Sequence, residues 1–336
     1  MWCMEEMKVR KQFRSIRAAV GVLAMVMTAS FGLSAQAADS YPSKPIQVVV
    51  PVGAGGDTDT NARLFGKFLE KELGQAIVVT NVKGGGGTIG MRRVMDADPD
   101  GYTALFFHGE AMIPQLAGLV DFGIDAFQMV GIGVLDDTTV LATHKDAKYK
   151  TTQEFVDYAK AHPGEVEFGI LTGGYPHLIG IVLQDVAGIK LNLVDVGGNA
   201  AKTVALKGHK IDVINTQYGL TKDYFTSGDF IALGLLSDKR NGTFNAIPTA
   251  KEQGYDLEFD KFFFFAMPKG TPQAIVDKFS AAMKKVVDNP EYKAEAAKFF
   301  VTPTYMAPAE ATVYAQKQQQ FFAKYQDLFR AASKQQ

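Results

Sequence analysis

The run VVVPVGAGGDTDTNARL (residues 48–64) decides how this chain is built. Three valines lead into Pro51, glycines follow, and beyond Asp57 apolar residues return at Ala62, Leu64, Phe65, Phe68, Leu69 and Leu73. A continuous β-branched run reads as a strand buried on both faces. The spacing after it reads as one face of a helix, which Gly74 would end. Strand, glycine loop and helix start in that order aim backbone N–H groups and a positive helix end at one place, which suits an anion. The same loop carries two acids of its own, Asp57 and Asp59.

Working outward, the pattern repeats. Residues 77–80 read as a strand, GGGGTIG (84–90) follows, then a short helix through Arg93 and Met95, the turn Asp98-Pro99-Asp100-Gly101, and a strand over 103–107. Further strands are expected over 139–143, 166–171, 191–196, 211–215 and 231–236, with FFFFAM over 262–267 as a second long apolar run. Thr151 and Glu154 have capping-box spacing ahead of a helix that should stop at His162-Pro163-Gly164, and helices are expected over 178–186 and 200–207. After Thr271-Pro272 the remaining 60 or so residues read as helix only. Repeated βα units imply largely parallel sheets with helices on both faces.

The first 37 residues stand apart. Lys8, Arg10, Lys11, Arg14 and Arg17 precede an uncharged apolar run over 18–33, and Ala35-Gln36-Ala37 completes the pattern of a secretory signal peptide cleaved after Ala37. A run of about 16 residues is short for a bilayer, which takes roughly 20. Cys3, the only cysteine, lies ahead of that run, so neither a lipid anchor nor a disulfide is expected in the secreted chain. Of the 35 Lys/Arg and 36 Asp/Glu, five and two fall in this segment, which leaves the rest mildly acidic at net −4. That balance lacks the concentrated basic stripe of a nucleic-acid binder. About 300 residues suffice for two α/β domains.

Ligands of parallel α/β sheets sit outside the carboxyl ends of the strands. The glycine-rich loops there supply Gly55, Gly56, Asp57, Thr58 and Asp59 from the first, Gly86, Gly87 and Thr88 from the second, and Thr172, Gly173 and His177 from the third. His108 and Glu110 follow the strand over 103–107. GGGGTIG fits a dinucleotide frame only at Gly85, Gly87 and Gly90, and no strand ending in Asp or Glu follows about 20 residues on. No phosphate-loop motif, H-E-x-x-H, Cys/His cluster or G-x-S-x-G occurs, so no nucleotide cofactor, metal or serine nucleophile is expected.

Taken in order, several stretches resemble the substrate-binding receptors of tripartite tricarboxylate transporters, the Bug family. They are YPSKPIQVVVPVGAGGDTD…ARL (41–64), LGQAIVVTNVKGGGGTIG (73–90), DPDGYTALF (98–106), the segment 169–178, VGGNAAKTVALKGHKIDV (196–213), ALGLLSDKR…IPTAKEQGY (232–255) and FFAMPKGTPQAIVDKF (264–279). The resemblance spans residues 41 to about 314. It implies a two-domain periplasmic-binding-protein (Venus-flytrap) α/β fold, with two mixed sheets flanked by helices and joined by two crossover strands near 139–143 and 263–267. Domain I would hold residues 38–142 plus 263–336 and domain II residues 143–262. Such receptors work in the periplasm as monomers, without cofactor. They capture small organic solutes, mostly carboxylates, and pass them to membrane permease subunits. Loops matching 53–59 and 84–90 hold a carboxylate through backbone N–H groups and ordered water.

Three departures from that family bear on the ligand. Asp57 stands where a small hydroxyl residue is common, whereas Asp59 fits the usual pattern. His108 and Glu110 stand where small or hydroxyl residues are usual. Val194-Asp195-Val196-Gly197 replaces a proline-tyrosine-lysine-glycine, which removes a cation and adds Asp195 beside Gly197. Unpaired acids repel a carboxylate by several kcal/mol at about 4 Å and an effective dielectric near 20. The expected solute therefore carries an amino or polyhydroxyl part as well, unless Asp57 and Asp59 only cap their helix. Two other functions compete: a periplasmic enzyme with Asp57, His108 and Glu110 as acid–base groups, and a receptor that reports to a signalling partner.

Overall fold

The computed structural model describes residues 41–240 and 245–333, so the expected signal peptide and Cys3 lie outside the described residues. The first sheet runs in the order β2-β1-β3-β10-β4-β11, with β1 Ile46–Val50, β2 Ile77–Asn81, β3 Thr103–His108, β4 Phe127–Asp136, β10 Lys261–Pro268 and β11 Thr302–Met306. The second runs β7-β6-β8-β5-β9, with β5 Thr139–His144, β6 Glu167–Ile170, β7 Asn192–Asp195, β8 Val213–Gln217 and β9 Phe230–Leu235. Around them lie α1 (Asp57–Leu73), α2 (Thr88–Met95), α3 (Ile113–Leu116), α4 (Thr152–Ala161), α5 (Tyr175–Ala187), α6 (Asn199–Lys207), α7 (Tyr218–Thr226), α8 (Gln273–Asp288), α9 (Pro290–Ala297), α10 (Pro308–Ala323) and α11 (Gln326–Ser333).

Each sheet keeps a parallel trio, β2-β1-β3 and β7-β6-β8. All other strand pairs are antiparallel, so both sheets are mixed and the βα pattern by itself overstates the parallel share. Parallel neighbours need a long crossover connection, usually a helix. Here β4 runs into β5 across Asp137 and Thr138 alone. On the way back the Phe259 N–H still bonds to Leu236 of the second half at 2.7 Å, and two residues later Lys261 opens β10 in the first sheet. The two crossings thus fall just ahead of the stretches 139–143 and 263–267. The tail is not helix only: β11 pairs with β4. Its Pro303 is tolerated because β11 is the sheet's edge.

β10 shows how the sequence builds the core. All eight of its residues are buried, and a strand's period of two splits the phenylalanines. Phe263 and Phe265 join α1 and α8 on one face, with Phe265 5.3 Å from both Phe65 and Phe279. Phe262 and Phe264 join the other face, under α10. Each such ring contributes about 1.5–3 kcal/mol by burial. α11 reaches across to the second half, where Phe329 packs 5.3 Å from the ring of His177 in α5. Among the described residues no helix is long and apolar enough to cross a membrane.

The second glycine loop is set by close packing. A Cβ on Gly90 would lie 2.8 Å from the Val82 carbonyl oxygen and 2.9 Å from the Pro51 Cα, and neither backbone atom can move aside. Gly90→Ala should therefore cost about 1–3 kcal/mol, measured as a lower urea midpoint at unchanged slope. Stability equal to the parent would show that α2 is free to shift off β1.

Candidate functional site

Four of the helices that follow strand ends start on a glycine without a side-chain cap; α7, α8 and α10 lack one too, on Gln217, Pro272 and Ala307. Gly56, Gly87, Gly174 and Gly198 are the N-cap residues of α1, α2, α5 and α6, and none of these helices has a side-chain cap bond. Elsewhere Thr151 caps α4 and Asn289 caps α9. A glycine cap offers the first-turn N–H groups no side-chain acceptor of its own. Some N–H groups at these starts are already bonded: that of Thr58 to Asp57, that of Gly87 to the Gly84 carbonyl and that of Gly174 to the Leu171 carbonyl. Two cavities use these starts. One of about 580 Å³ is lined by Gly53 and Gly84 to Gly87 of the first half, Thr172 to Gly174 of the second, and Glu110 between them. The other, about 250 Å³, is lined by Gly55, Gly56, Asp57, Asp136 and Thr138, with Gln217 opposite. The larger is of a size for a small organic molecule. At the α6 start, the Asn199 amide donates to the Gln217 side chain at 2.8 Å.

Charged side chains stand beside both cavities, with Asp57 and Asp136 in the lining of the smaller and Glu110 in that of the larger. Asp57 is the first residue of α1, and its Oδ2 lies 2.5 Å from Lys261 Nζ on β10. Burial would push the Asp57 carboxyl up, but the Lys261 ammonium, helped by the Thr58 N–H, holds it well below the usual carboxylate range. Lys261 responds in kind: burial alone would lower it, and Asp57 and Glu110 raise it instead. His108 is 3% exposed, and burial with Lys261 nearby keeps it neutral far below the usual histidine range. Its Nδ1 accepts the Glu110 N–H at 3.2 Å, which places the ring proton on Nε2. Asp136 is raised to about 6, by burial first, while Thr138 hydrogen-bonds to it and opposes the shift.

Glu110 differs from its neighbours. Its side chain is 38% exposed, in the larger cavity, and its Oε2 lies 3.8 Å from His108 Nε2, too far for a hydrogen bond. The surrounding protein nonetheless excludes enough water to raise its carboxyl, against the pull of Lys261 and Lys202. Lys202 on α6 is fully buried, with Nζ 2.7 Å from the Asn215 carbonyl and 3.0 Å from its side-chain oxygen. Burial lowers its pKa to about 7, with Glu110 opposing.

The remaining expected residues serve the loops. The Asp59 carboxylate is 4% exposed and accepts from the Gly55 N–H and the Asn81 amide, both at 2.9 Å, and from Arg63. Thr58 is buried, and Thr88 Oγ1 donates to the Gly85 carbonyl. Asp195 accepts N–H bonds at 3.0 Å from both Thr172 and Gly197, tying two loops of the second sheet together. His177 is fully buried under the third loop, where its Nδ1 accepts the Gly173 N–H. Of the acids that depart from the family pattern, Asp57, Glu110 and Asp195, Lys261 neutralises the first and backbone N–H groups occupy the last, so Glu110 alone stays available to a solute. Sequence reasoning missed Lys261, Lys202 and Asp136. Lys261 did leave a signal: a lysine abutting FFFFAM on a doubly buried strand needs an acid partner.

Comparison with known proteins fits this arrangement. Residues 62–328 match the family TctC, described as "Tripartite tricarboxylate transporter family receptor". Protein BugT of Bordetella pertussis is 32% identical over 261 residues, covering 75% of this chain and 79% of BugT. A TctC solute-binding protein from Polaromonas superposes with a TM-score of 0.74 at 27% identity, over 84% of this chain and 98% of that one. MatC of Rhodopseudomonas palustris, solved with bound malate, superposes with a TM-score of 0.71 at 25% identity, over 86% of this chain and all of MatC.

Proposed function

Because this chain belongs to the tripartite tricarboxylate transporter receptor family, we propose that it captures a small organic carboxylate between its two halves outside the cytoplasmic membrane and delivers it to the permease subunits of such a transporter. Each sheet with its helices acts as one lobe of the clamp, and a single chain suffices. The solute's carboxylate accepts N–H bonds around the uncapped helix starts at Gly56, Gly87 and Gly174, and the relative solved with bound malate supports a carboxylate as the ligand. Its other end carries a hydroxyl or amino group that donates to Glu110. The observation that carries this reading is Glu110 itself, an acceptor open to the cavity with no hydrogen bond from its carboxylate to the described residues.

An enzymatic role is less well served. A general acid or base needs a pKa near the working pH and an accessible proton. Asp57 is locked to Lys261 and His108 is neutral and buried, which leaves Glu110 as the one accessible member of the three. Calorimetry of the secreted chain against plain dicarboxylates, tricarboxylates, hydroxy acids, amino acids and polyols tests the proposal. A hydroxy or amino acid should bind tightest and be recovered unchanged. Tight binding of a plain dicarboxylate such as adipate with no response to any hydroxy or amino acid would end the ligand assignment, and turnover of the bound solute would favour the enzyme.

A further inference from the structure

Far from the cavities, the fold brings together histidines that lie 65 positions apart in sequence. β5 starts beside Thr138 at the smaller cavity and ends at His144, about 17 Å further on at the usual strand rise. There the ring of His144 lies 4.3 Å from that of His209, at 34°, in the turn between α6 and β8. His209 Nε2 is 3.7 Å from Asp146 Oδ2, and His144 Nε2 is 3.8 Å from Asp212 Oδ1. One donor atom from each of His144, Asp146 and His209 lies within 4.8 Å of the other two. Donors on a tetrahedral ion with bonds near 2.0–2.2 Å sit about 3.3–3.5 Å apart, so a small closure suffices. His209 and Asp146 are 47% and 60% exposed and free to make it.

Two details mark this as more than a surface charge cluster. Nδ1 of His144 is buried and has no hydrogen-bond partner, so the protein leaves this ring's bonding incomplete. Asp212 is itself fixed, since its Oδ2 accepts the Glu167 N–H at 2.8 Å. A fixed carboxylate 3.8 Å from one imidazole nitrogen is placed to orient a metal-ligating histidine once the same small closure brings it to hydrogen-bond distance. The sequence holds no local metal motif because the ligands come from two separate turns.

The geometry points to a divalent first-row cation site, suited to zinc, formed by His144, His209 and Asp146 with Asp212 orienting His144. Two imidazoles and a carboxylate are a donor set for zinc, copper or nickel rather than calcium or magnesium. Bound there, the ion pins the turn after α6 to the end of β5 and stiffens the second lobe without entering the solute cleft.

Titration of the secreted chain, freed of any histidine tag, with zinc chloride should show one ion per chain and a rise in thermal midpoint. Cobalt(II) in its place should give visible d–d absorption. His209→Asn, whose side chain tolerates the left-handed backbone at φ 52, should weaken zinc binding at least 10-fold while the metal-free melt stays at the parent value. Asp212→Asn should weaken it by roughly 10–100-fold. No stoichiometric zinc uptake by the parent, or equal uptake by His209→Asn, would overturn the site.

Discussion

Lys261→Met is expected to destabilise the folded chain by about 3–5 kcal/mol at pH 7, the cost of removing one partner of a buried ion pair. The methionine fills the stem of the lysine but leaves the Asp57 carboxylate, 26% exposed, without the ammonium 2.5 Å away. The thermal midpoint should fall by about 2–4 °C per kcal/mol. The pH dependence has a definite sign. Asp57's folded pKa lies below its unfolded value, so its pairing stabilises fully above the unfolded value near 3.9 and is lost as pH falls toward the folded one. In Lys261→Met the same carboxyl is buried unpaired and takes up a proton more readily. The gap between parent and variant should therefore close as the pH drops from 7 towards 3. Asp57→Asn combined with Lys261→Met should recover most of the loss, because no unpaired charge remains. If the single variant melts within 1 kcal/mol of the parent at pH 7, the pair is not holding a desolvated carboxylate.

That pair also shows where sequence reading stops. β1, its glycine loop and α1 are legible because each signal is local: a β-branched run, glycines, then helical spacing that closes at Gly74 with φ 69. β4 is hidden because FQMVGIGVLD carries two glycines that weaken its strand signal, and β11 because TPTYM holds a proline that reads as a breaker. Charge counting fails for a different reason. Asp57 and Lys261 are 204 positions apart, and only the return of the chain through β10 brings them into contact. An acid tallied without its partner looks like a clue to the ligand when it is a strut of the fold. The reverse error affects Asp195 and His177: the Asp195 oxygens and His177 Nδ1 are spent on backbone N–H groups, although His177 Nε2 is buried without a partner. Glu110 survives this scrutiny because it opens onto the larger cavity.

Glu110→Gln is accordingly expected to weaken binding of a hydroxy- or amino-bearing carboxylate by roughly 10–100-fold, the worth of a hydrogen bond to a charged acceptor, about 1.5–3 kcal/mol. A plain dicarboxylate should bind the variant as well as or better than the parent, since one like charge leaves the cavity. Burial raises the Glu110 carboxyl, so its ionised fraction grows with pH above the usual carboxylate range. Affinity for the donor-bearing solute should rise with pH through that interval in the parent and stay flat there in the variant. Lys202 works in the opposite sense: with a pKa near 7 it loses charge as the pH climbs past neutrality, which weakens its attraction for any carboxylate in both proteins. Parent and variant should therefore differ in slope on the acid side, and the alkaline fall should begin at lower pH in the variant, because Glu110 no longer opposes the lowering of the Lys202 pKa. Calorimetric titrations from pH 5 to pH 8 separate the two groups. Identical affinity profiles for parent and variant would show that Glu110 does not meet the solute, and would return the choice of ligand to the backbone N–H groups of the glycine loops.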